Sequence, residues 1–537
     1  MPGTRDHDPL VIEDFAGWWS RGDLESAPSD HFIQADNVQY FHSGVETRDG
    51  LTNYILNPLP PFKVLRIYNY VTQQGQTLIV LAEGGNIYHI LGPTSVASMP
   101  ILTIPAMEDF GFMAINGRAY ITPFKTYTNA QGEKYQLGIQ NEFLYVYKGD
   151  GTPARKAAGK PPTTAPSGNL LAQELGGSPG IFITDIGFHL IGVVFETDTG
   201  YLTAPGPETF AQLTFTGDKQ INVINIPVGL AGSSVIKRHL VSTKAIIGFN
   251  GDQKGYQFFF IPGGTIPNNT TTDWLGSYFD SDLISDASHL IDNLAEIPSS
   301  VNLNTYHSRL VMVGEYGTTE TLAGLPVGIP DNRSLVRLSA PGEPESISKI
   351  DGLIIAPLDG NPLTNVQEFR DVLYVFKKTR TIAYSDNYDV PASWQEEILD
   401  QGIGAPVHGI ATVLDTGGVN TDFLLICDWS GLMLFNGTYS QPEMSWKIED
   451  TWRGISRNEF HNVQIVNDSL NKKIWITLPP PSRKYLLHAD YKNGMSAKDI
   501  KWAKWIFDVK VFTIALIETD RLIIGTPGPE STVVEIL

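Results

Sequence analysis

Short runs of Val, Ile, Leu and aromatic residues, each closed by a tight turn and followed by a second such run, recur along almost the whole chain. Leu78-Ile79-Val80-Leu81-Ala82 leads through Glu83-Gly84-Gly85-Asn86 into Ile87-Tyr88-His89-Ile90. Phe112-Met113-Ala114-Ile115 and Ala119-Tyr120-Ile121 flank Asn116-Gly117. Asn-Gly between apolar runs is a strong hairpin signal, because both residues tolerate positive φ. Further copies include Leu373 to Phe376 with Thr381 to Tyr384, and Phe423 to Cys427 with Leu432 to Phe435. The last lie at Lys473 to Ile476 and Leu522 to Gly525. Roughly eight such units, about 30 to 60 residues apart outside the middle of the chain, have the spacing of small antiparallel sheets repeated radially as propeller blades. An array of β-sandwiches is the competing architecture. Only Phe279 to Leu294 suggests a helical stretch.

The repeat is interrupted after residue 150. Gly159-Lys160-Pro161-Pro162-Thr163-Thr164-Ala165-Pro166 has the composition of an exposed linker. Strand-like segments follow at short intervals: Ile181 to Ile183, His189 to Glu196, Thr214-Phe215, Ile221 to Ile226, His239 to Thr243 and Tyr256 to Ile261. That pattern predicts an immunoglobulin- or fibronectin-like sandwich. The hairpin repeat resumes near Val301. The predicted organisation is therefore all-β: an N-terminal arm (1–30), a first propeller part (31–160), an inserted sandwich (165–295) and a second propeller part (300–537), with the propeller built from both flanking segments.

Composition excludes several functions. With 58 acidic against 38 basic residues the formal net charge is -20, which repels duplex DNA and anionic lipid on average. The single cysteine, Cys427, leaves no internal disulfide and no cysteine-based zinc site. No apolar run is long enough to span a membrane, and residues 1–10 lack the apolar core of a secretion signal. Assembly in a reducing cytoplasm is the expectation.

Motifs for chemistry fail on mechanism. Gly176-Gly177-Ser178-Pro179-Gly180 matches a nucleophile elbow, but Pro179 lacks the N–H that the oxyanion requires. Gly159-Lys160 resembles the end of a phosphate loop, yet Ala154 stands where the first glycine is needed and Pro161 replaces Ser or Thr. The 11 histidines form no H-E-x-x-H pair; His7, His31 and His42 are scattered, and His307, close to an arginine, reads as a packed or surface residue. Asp273, Asp280, Asp282 and Asp286 could gather a hard cation, but they lack the EF-hand pattern and read as a solvated loop. The N-x-S/T triplets at Asn268, Asn269, Asn332 and Asn436 carry no glycosylation meaning without a secretion signal. Trp18-Trp19, Trp429, Trp446, Trp452, Trp502 and Trp505 suit either a sugar-stacking surface or packing between blades. No catalytic, cofactor-binding or metal-binding residue is assigned, and no cofactor is expected.

Several segments, in order, resemble the propeller proteins of tailed-bacteriophage virions, especially the tail nozzle or hub proteins of short-tailed phages. They include Ala35-Asp36-Asn37-Val38 with Glu46 to Leu51, Leu144 to Tyr147 running into the Gly159–Pro166 linker, and Val194 to Gly200 with Thr203 to Pro207. Tyr306 to Leu310, Leu338 to Gly342, Asp371 to Lys377 and Trp429 to Gly437 complete the series. The resemblance implies a non-enzymatic virion protein assembled in the bacterial host. It implies a homohexameric ring at the tail, next to an adaptor protein and tail fibres or spikes, through which DNA passes without specific binding and without membrane insertion. The alternative is a propeller enzyme or lectin acting on host-surface polysaccharide, with carboxylates in its central channel. Trp18 and Trp19 lie in a polar context that offers little local core, so they are candidate subunit contacts; packing within their own domain is the competing expectation.

Overall fold

The computed structural model of the chain describes residues 16–21, 27–28, 31–32, 34–41, 44–47, 51–54, 63–72, 75–94, 99–128, 132–171, 187–213, 220–246, 256–316, 332–357, 361–387, 390–400, 402–414, 422–440, 443–480, 482–517, 521–527 and 533–536. The Gly176–Gly180 elbow match, the strand-like Ile181–Ile183 and Thr214-Phe215, and His7 and His42 lie outside the described residues.

The apolar runs form strands because both of their faces are covered. In Gly75–Ala82, Leu78 and Val80 point into one core and Ile79 and Leu81 into another. In Phe423–Asp428, Leu424 and Ile426 face one neighbour while Leu425 and Cys427 face the next. A sheet packed on both sides needs further sheets beside it, and a twisted sheet repeated this way closes radially.

Of the ten sheets among the described residues, seven are the blades of a β-propeller. Blade 1 comprises Val64–Thr72, Gly75–Ala82, Asn86–Ile90 and Leu102–Thr103. Blade 2 comprises Asp109–Ile115 and Arg118–Thr128, then Lys134–Gly138 and Tyr145–Tyr147 sharing the third position, and Arg155–Lys156. Blade 3 is built on Asn302–Tyr306, Arg309–Val313 and Leu335–Ala340, edged by Glu343–Ile347 and Leu353–Ile354. Blade 4 comprises Leu363–Phe369, Val372–Lys377, Arg380–Ser385 and Gln395–Asp400. Blade 5 comprises Ile410–Val413, Phe423–Asp428 and Gly431–Phe435. Blade 6 comprises Gln464–Asp468, Lys473–Thr477, Tyr485–Asp490 and Lys501–Ile506. Blade 7 comprises Thr513–Ile517, Arg521–Gly525 and Val533–Ile536, and Leu51–Asn53 from the other end of the chain pairs with its last strand and closes the ring.

Each junction between blades holds an apolar core. Blades 6 and 7, for example, enclose Trp475, Trp505, Phe507, Ile514 and Ile524. His488 is fully buried near the Trp475 and Trp505 rings, at centroid distances of 5.6 and 4.4 Å.

Between blades 2 and 3 the chain leaves the ring and builds two facing sheets. One is Ser167–Leu171, Gln220–Ile224 and Trp274–Gly276; the other is Thr209–Leu213, Gly187–Thr197, Val235–Ser242 and Phe259–Ile266. Ile191, Val193, Ile221, Val223 and Leu240 share one core between them. The chain rejoins the propeller at Leu294 and Ile297, which pack with Tyr120, Leu144 and Tyr201. Arg155 fastens the junction, reaching Asp198 of the insert at 2.8 Å and Glu345 of blade 3 at 3.1 Å.

The stretch from Phe279 to Leu294 is not an α-helix. It holds two short 3-10 turns, Asp280–Asp282 and Ser288–Asp292. The one α-helix among the described residues is Glu449–Arg453.

Replacing residues 167–292 by a short Gly/Ser linker should leave a chain that still unfolds cooperatively, at a lower Tm because Tyr201 and the Asp198 ion pair are lost. Differential scanning calorimetry with circular dichroism tests this; a chain that no longer folds would mean that the insert is required for the ring. Burial holds the His488 imidazole down to about 3, whereas an unfolded imidazole titrates near 6.5. The unfolded state therefore takes up the proton first, and stability is lost as pH falls below about 6.5. His488→Phe should move the acid-unfolding midpoint to lower pH, as read by tryptophan fluorescence.

Candidate functional site

The propeller axis is where the innermost strands of all seven blades meet, and polar side chains bridge it. Arg66 on the first strand of blade 1 is buried, and its guanidinium pairs with Asp109 at the start of blade 2, Nε donating to Oδ1 at 2.9 Å. Its Nη1 donates to Gln464 Oε1 of blade 6 at 2.7 Å. Gln464 Nε2 donates to the Ile514 carbonyl of blade 7 at 2.7 Å. His408, just before blade 5, places Nε2 3.0 Å from Asp109 Oδ2 and Nδ1 3.3 Å from the Tyr68 hydroxyl. Blades 3 and 4 join through carboxamides. Asn302 donates to the Val407 carbonyl at 3.1 Å, Asn365 to the Pro406 and Val407 carbonyls at 3.0 and 2.7 Å, and Asn304 to the Val366 carbonyl at 2.9 Å.

Burial alone would raise the Asp109 carboxyl, but Arg66 and then His408 more than reverse this and hold it well below the usual carboxylate range. Burial, with the Arg66 charge nearby, lowers the His408 imidazole, which is therefore neutral at pH 7. Asp109 is thus a bound counter-ion with no proton to exchange near neutrality. The space left along the axis is about 430 Å³, lined by Asn69, Asn302, Asn304, Gln367 and Gln464 among others. It admits small molecules and not a duplex.

Beyond the 406–408 segment, on the face where blades 4, 5 and 6 are connected, lies a second cavity of about 340 Å³. Trp429, 39% exposed, forms one wall, with the Arg457 guanidinium 5.3 Å from its ring centroid. Tyr135, Phe460, Pro362 and Pro406 add apolar surface, and Lys134 and Lys378 add charge. Lys134 is paired with Glu459. Asp428 at the base has its carboxyl raised by burial, yet it is fully engaged: Oδ1 accepts the Ser430 N–H at 2.8 Å and Oδ2 the Gly404 N–H at 3.1 Å. Burial also pushes up the Cys427 thiol, leaving it unreactive. The cavity can seat an anionic or aromatic group, and the Ser430 hydroxyl in its lining donates to Asp428 Oδ1.

The structure seats Trp18 and Trp19 in the chain's own core, 7% and 8% exposed. Trp18 N donates to the Trp502 carbonyl at 2.9 Å, and the Trp19 ring meets Trp446 edge-on at 5.4 Å. Gly17 permits this approach: at φ +95° it takes a conformation that L side chains avoid, and a Cβ there would lie 2.8 Å from the Trp502 nitrogen. The premise that the arm has no core to bury its tryptophans is corrected, because blade 6 and the 446–453 segment supply one. Trp452, Trp502 and Trp505 are likewise buried, so these residues form no sugar-stacking surface; Trp429 alone of the group is 39% exposed. Three of the four acidic-loop residues serve their own surroundings. Asp280 accepts the Ala245 N–H, Asp282 the Phe279 N–H and Asp286 the Ser288 N–H.

Sequence reading missed the axial network. Its one signal is a charge inside an apolar strand, Val64-Leu65-Arg66-Ile67.

No family model and no curated protein matches the sequence. Among solved structures, the chain is similar to YCF48 bound to D1 peptide, with 9% identity and a TM-score of 0.28 over 92% of this chain and 96% of that one. It is similar to BBS1N in complex with ARL6DN, with 9% identity and a TM-score of 0.26 over 91% and 96%. It is also similar to the soluble aldose sugar dehydrogenase of Escherichia coli, with 8% identity and a TM-score of 0.27 over 90% and 99%. Likeness at this level says nothing of activity or partner. The chain is an all-β protein built on a β-propeller.

Asp109→Asn should destabilise the protein by about 3–5 kcal/mol, because it strands the Arg66 charge in the interior. The double change Arg66→Met with Asp109→Leu should recover most of that loss. Denaturant titration of the three variants measures both effects.

Proposed function

We propose that this chain is a structural subunit of a tailed-phage virion, a tail nozzle or hub protein that forms a homohexameric ring around the DNA exit path. The ordered motifs from Ala35 to Gly437, which resemble those of tail nozzle and hub proteins, support this reading. The observation that favours a scaffold over a catalyst is the ion pair that bridges the axis. Asp109, the carboxylate held there by Arg66 and His408, is neutralised and kept ionised, so it lacks the titration that a general acid or base needs. DNA would then pass between subunits and not through a propeller. In this reading the inserted pair of sheets is an immunoglobulin- or fibronectin-like sandwich projecting from the ring, and adaptor and fibre or spike proteins bind its outer surfaces.

Mass photometry of the purified full-length chain, followed by electron microscopy, should show rings of six. Anisotropy titration at physiological salt should show no affinity for duplex DNA. A protein that stays monomeric at micromolar concentration and cleaves or binds host polysaccharide would overturn the reading in favour of a propeller enzyme or lectin.

A further inference from the structure

Blades 3 and 4 each turn between their first and second strands on the same face, and the two hairpins bring together a donor set that the sequence keeps apart. His307 sits in the turn of blade 3, while Glu368 lies near the end of the first strand of blade 4 and Asp371 in the turn that follows it. One ligand atom from each of the three lies within 4.8 Å of the others. We propose that His307, Glu368 and Asp371 form a binding site for a divalent transition-metal ion that joins blade 3 to blade 4.

Charge is the first reason. Two carboxylates converge on an imidazole. Arg370 is next to Asp371 in sequence but points to blade 5, donating to the Asn436 and Asp422 carbonyls at 2.9 and 3.0 Å. Arg309 donates to the Ser339 carbonyl at 2.9 Å. No Lys or Arg pairs with Glu368 or Asp371 among the described residues. Glu368 is half-buried. A dication supplies the missing charge.

Support around the histidine is the second reason. His307 Nδ1 lies 3.2 Å from Asp386 Oδ2, and the ring stacks on Tyr306 at a centroid distance of 4.1 Å. With Nδ1–H given to a carboxylate, Nε2 is the ligating nitrogen, which is the outer-shell arrangement that orients metal-bound imidazoles. The Tyr306 hydroxyl ties the parts together, donating to the Asp371 carbonyl and accepting the Asp386 N–H, both at 3.1 Å. One nitrogen and two carboxylate oxygens suit zinc and its neighbours better than calcium, which takes six to eight oxygens. Three protein ligands leave a position for water or for a group on a partner.

The full-length chain, stripped with EDTA and dialysed, would be titrated with ZnCl2 and separately with CaCl2 by calorimetry, alongside thermal melts. The expected result is saturable zinc binding with a raised Tm, and calcium binding at least tenfold weaker. Glu368→Gln, close in shape, and His307→Asn, which tolerates the φ of 44° at that position, should each remove one equivalent of zinc and its Tm shift. Asp386→Ala, which acts by positioning the imidazole, should weaken zinc by about 10- to 100-fold while keeping the stoichiometry. Identical zinc isotherms for the wild type and for folded Glu368→Gln and His307→Asn chains would overturn the site. Calcium binding as tight as zinc would overturn the choice of metal.

Discussion

Seven sheets that radiate from a single line bring seven inner strands close together, and the side chains between them are partly withdrawn from solvent. Polar groups there must satisfy one another. The Arg66–Asp109 pair does this for most of the ring: Arg66 reaches from blade 1 to blades 2 and 6, His408 ties the entry of blade 5 to the same carboxylate, and Gln464 passes the connection to blade 7. Blades 3 and 4 are held through Asn302 and Asn365 on the 406–407 carbonyls. Opening any one blade therefore exposes a charge or strands a buried donor elsewhere, which couples the blades more tightly than their apolar cores would alone. The space left between these bridging groups, about 430 Å³, is too small for a duplex.

Much of the fold was legible because a strand buried on both faces writes itself as an unbroken apolar run. Leu78 and Val80 serve one core and Ile79 and Leu81 the next, so the usual polar alternation never appears. Turn chemistry marked the hairpins, and Asn116 and Gly117 do take φ of 52° and 74°. The number of blades was not legible. Outer strands such as Leu102–Thr103, Arg155–Lys156 and Leu353–Ile354 are too short to carry a pattern, and one strand of blade 7 comes from residues 51–53. Contacts that unite distant segments left little local trace. Trp18 looked stranded because its partner Trp502 lies at the other end of the chain. The His307, Glu368 and Asp371 set needs two hairpins folded side by side before it exists.

The ends of the chain do more than close a circle. Ala35 to Asn37 run beside Lys504, with Asn37 N donating to the Lys504 carbonyl at 2.7 Å and Lys504 N to the Ala35 carbonyl at 2.9 Å. That covers the outer strand of blade 6, whose unpaired backbone would otherwise invite pairing with another chain. Blade 7 is complete only after both termini have been made, so ring closure is a late, non-local event in folding, of the kind that slows β-proteins. The insert leaves and returns at the blade 2–3 junction, where Arg155 holds Asp198 and Glu345 together, so it is fixed to the ring by charge as well as by the Tyr201 contact.

The distribution of charge bears on what such a molecule presents to others. Among the described residues the buried cations are Arg66, Arg238, Arg337, Lys377, Lys447 and Lys501, and the buried acids are Asp109, Glu315, Glu345, Asp428, Asp468 and Asp490. These two sets balance. Several of the cations are held by backbone carbonyls, as when Lys447 Nζ donates to those of Ala16, Lys498 and Ile500. Among the described residues the interior is therefore neutral in sum, and the formal -20 of the chain is carried by the other residues. In the ring we propose, a wall that follows the chain's formal net charge of -20 would carry an excess of carboxylate over ammonium. Each Lys or Arg missing from the wall removes a phosphate contact, and with it the counterion release that makes proteins grip DNA. Repulsion at such a wall is screened beyond about 10 Å at 0.1 M salt, so it acts only on a duplex close to the surface, as in a narrow conduit.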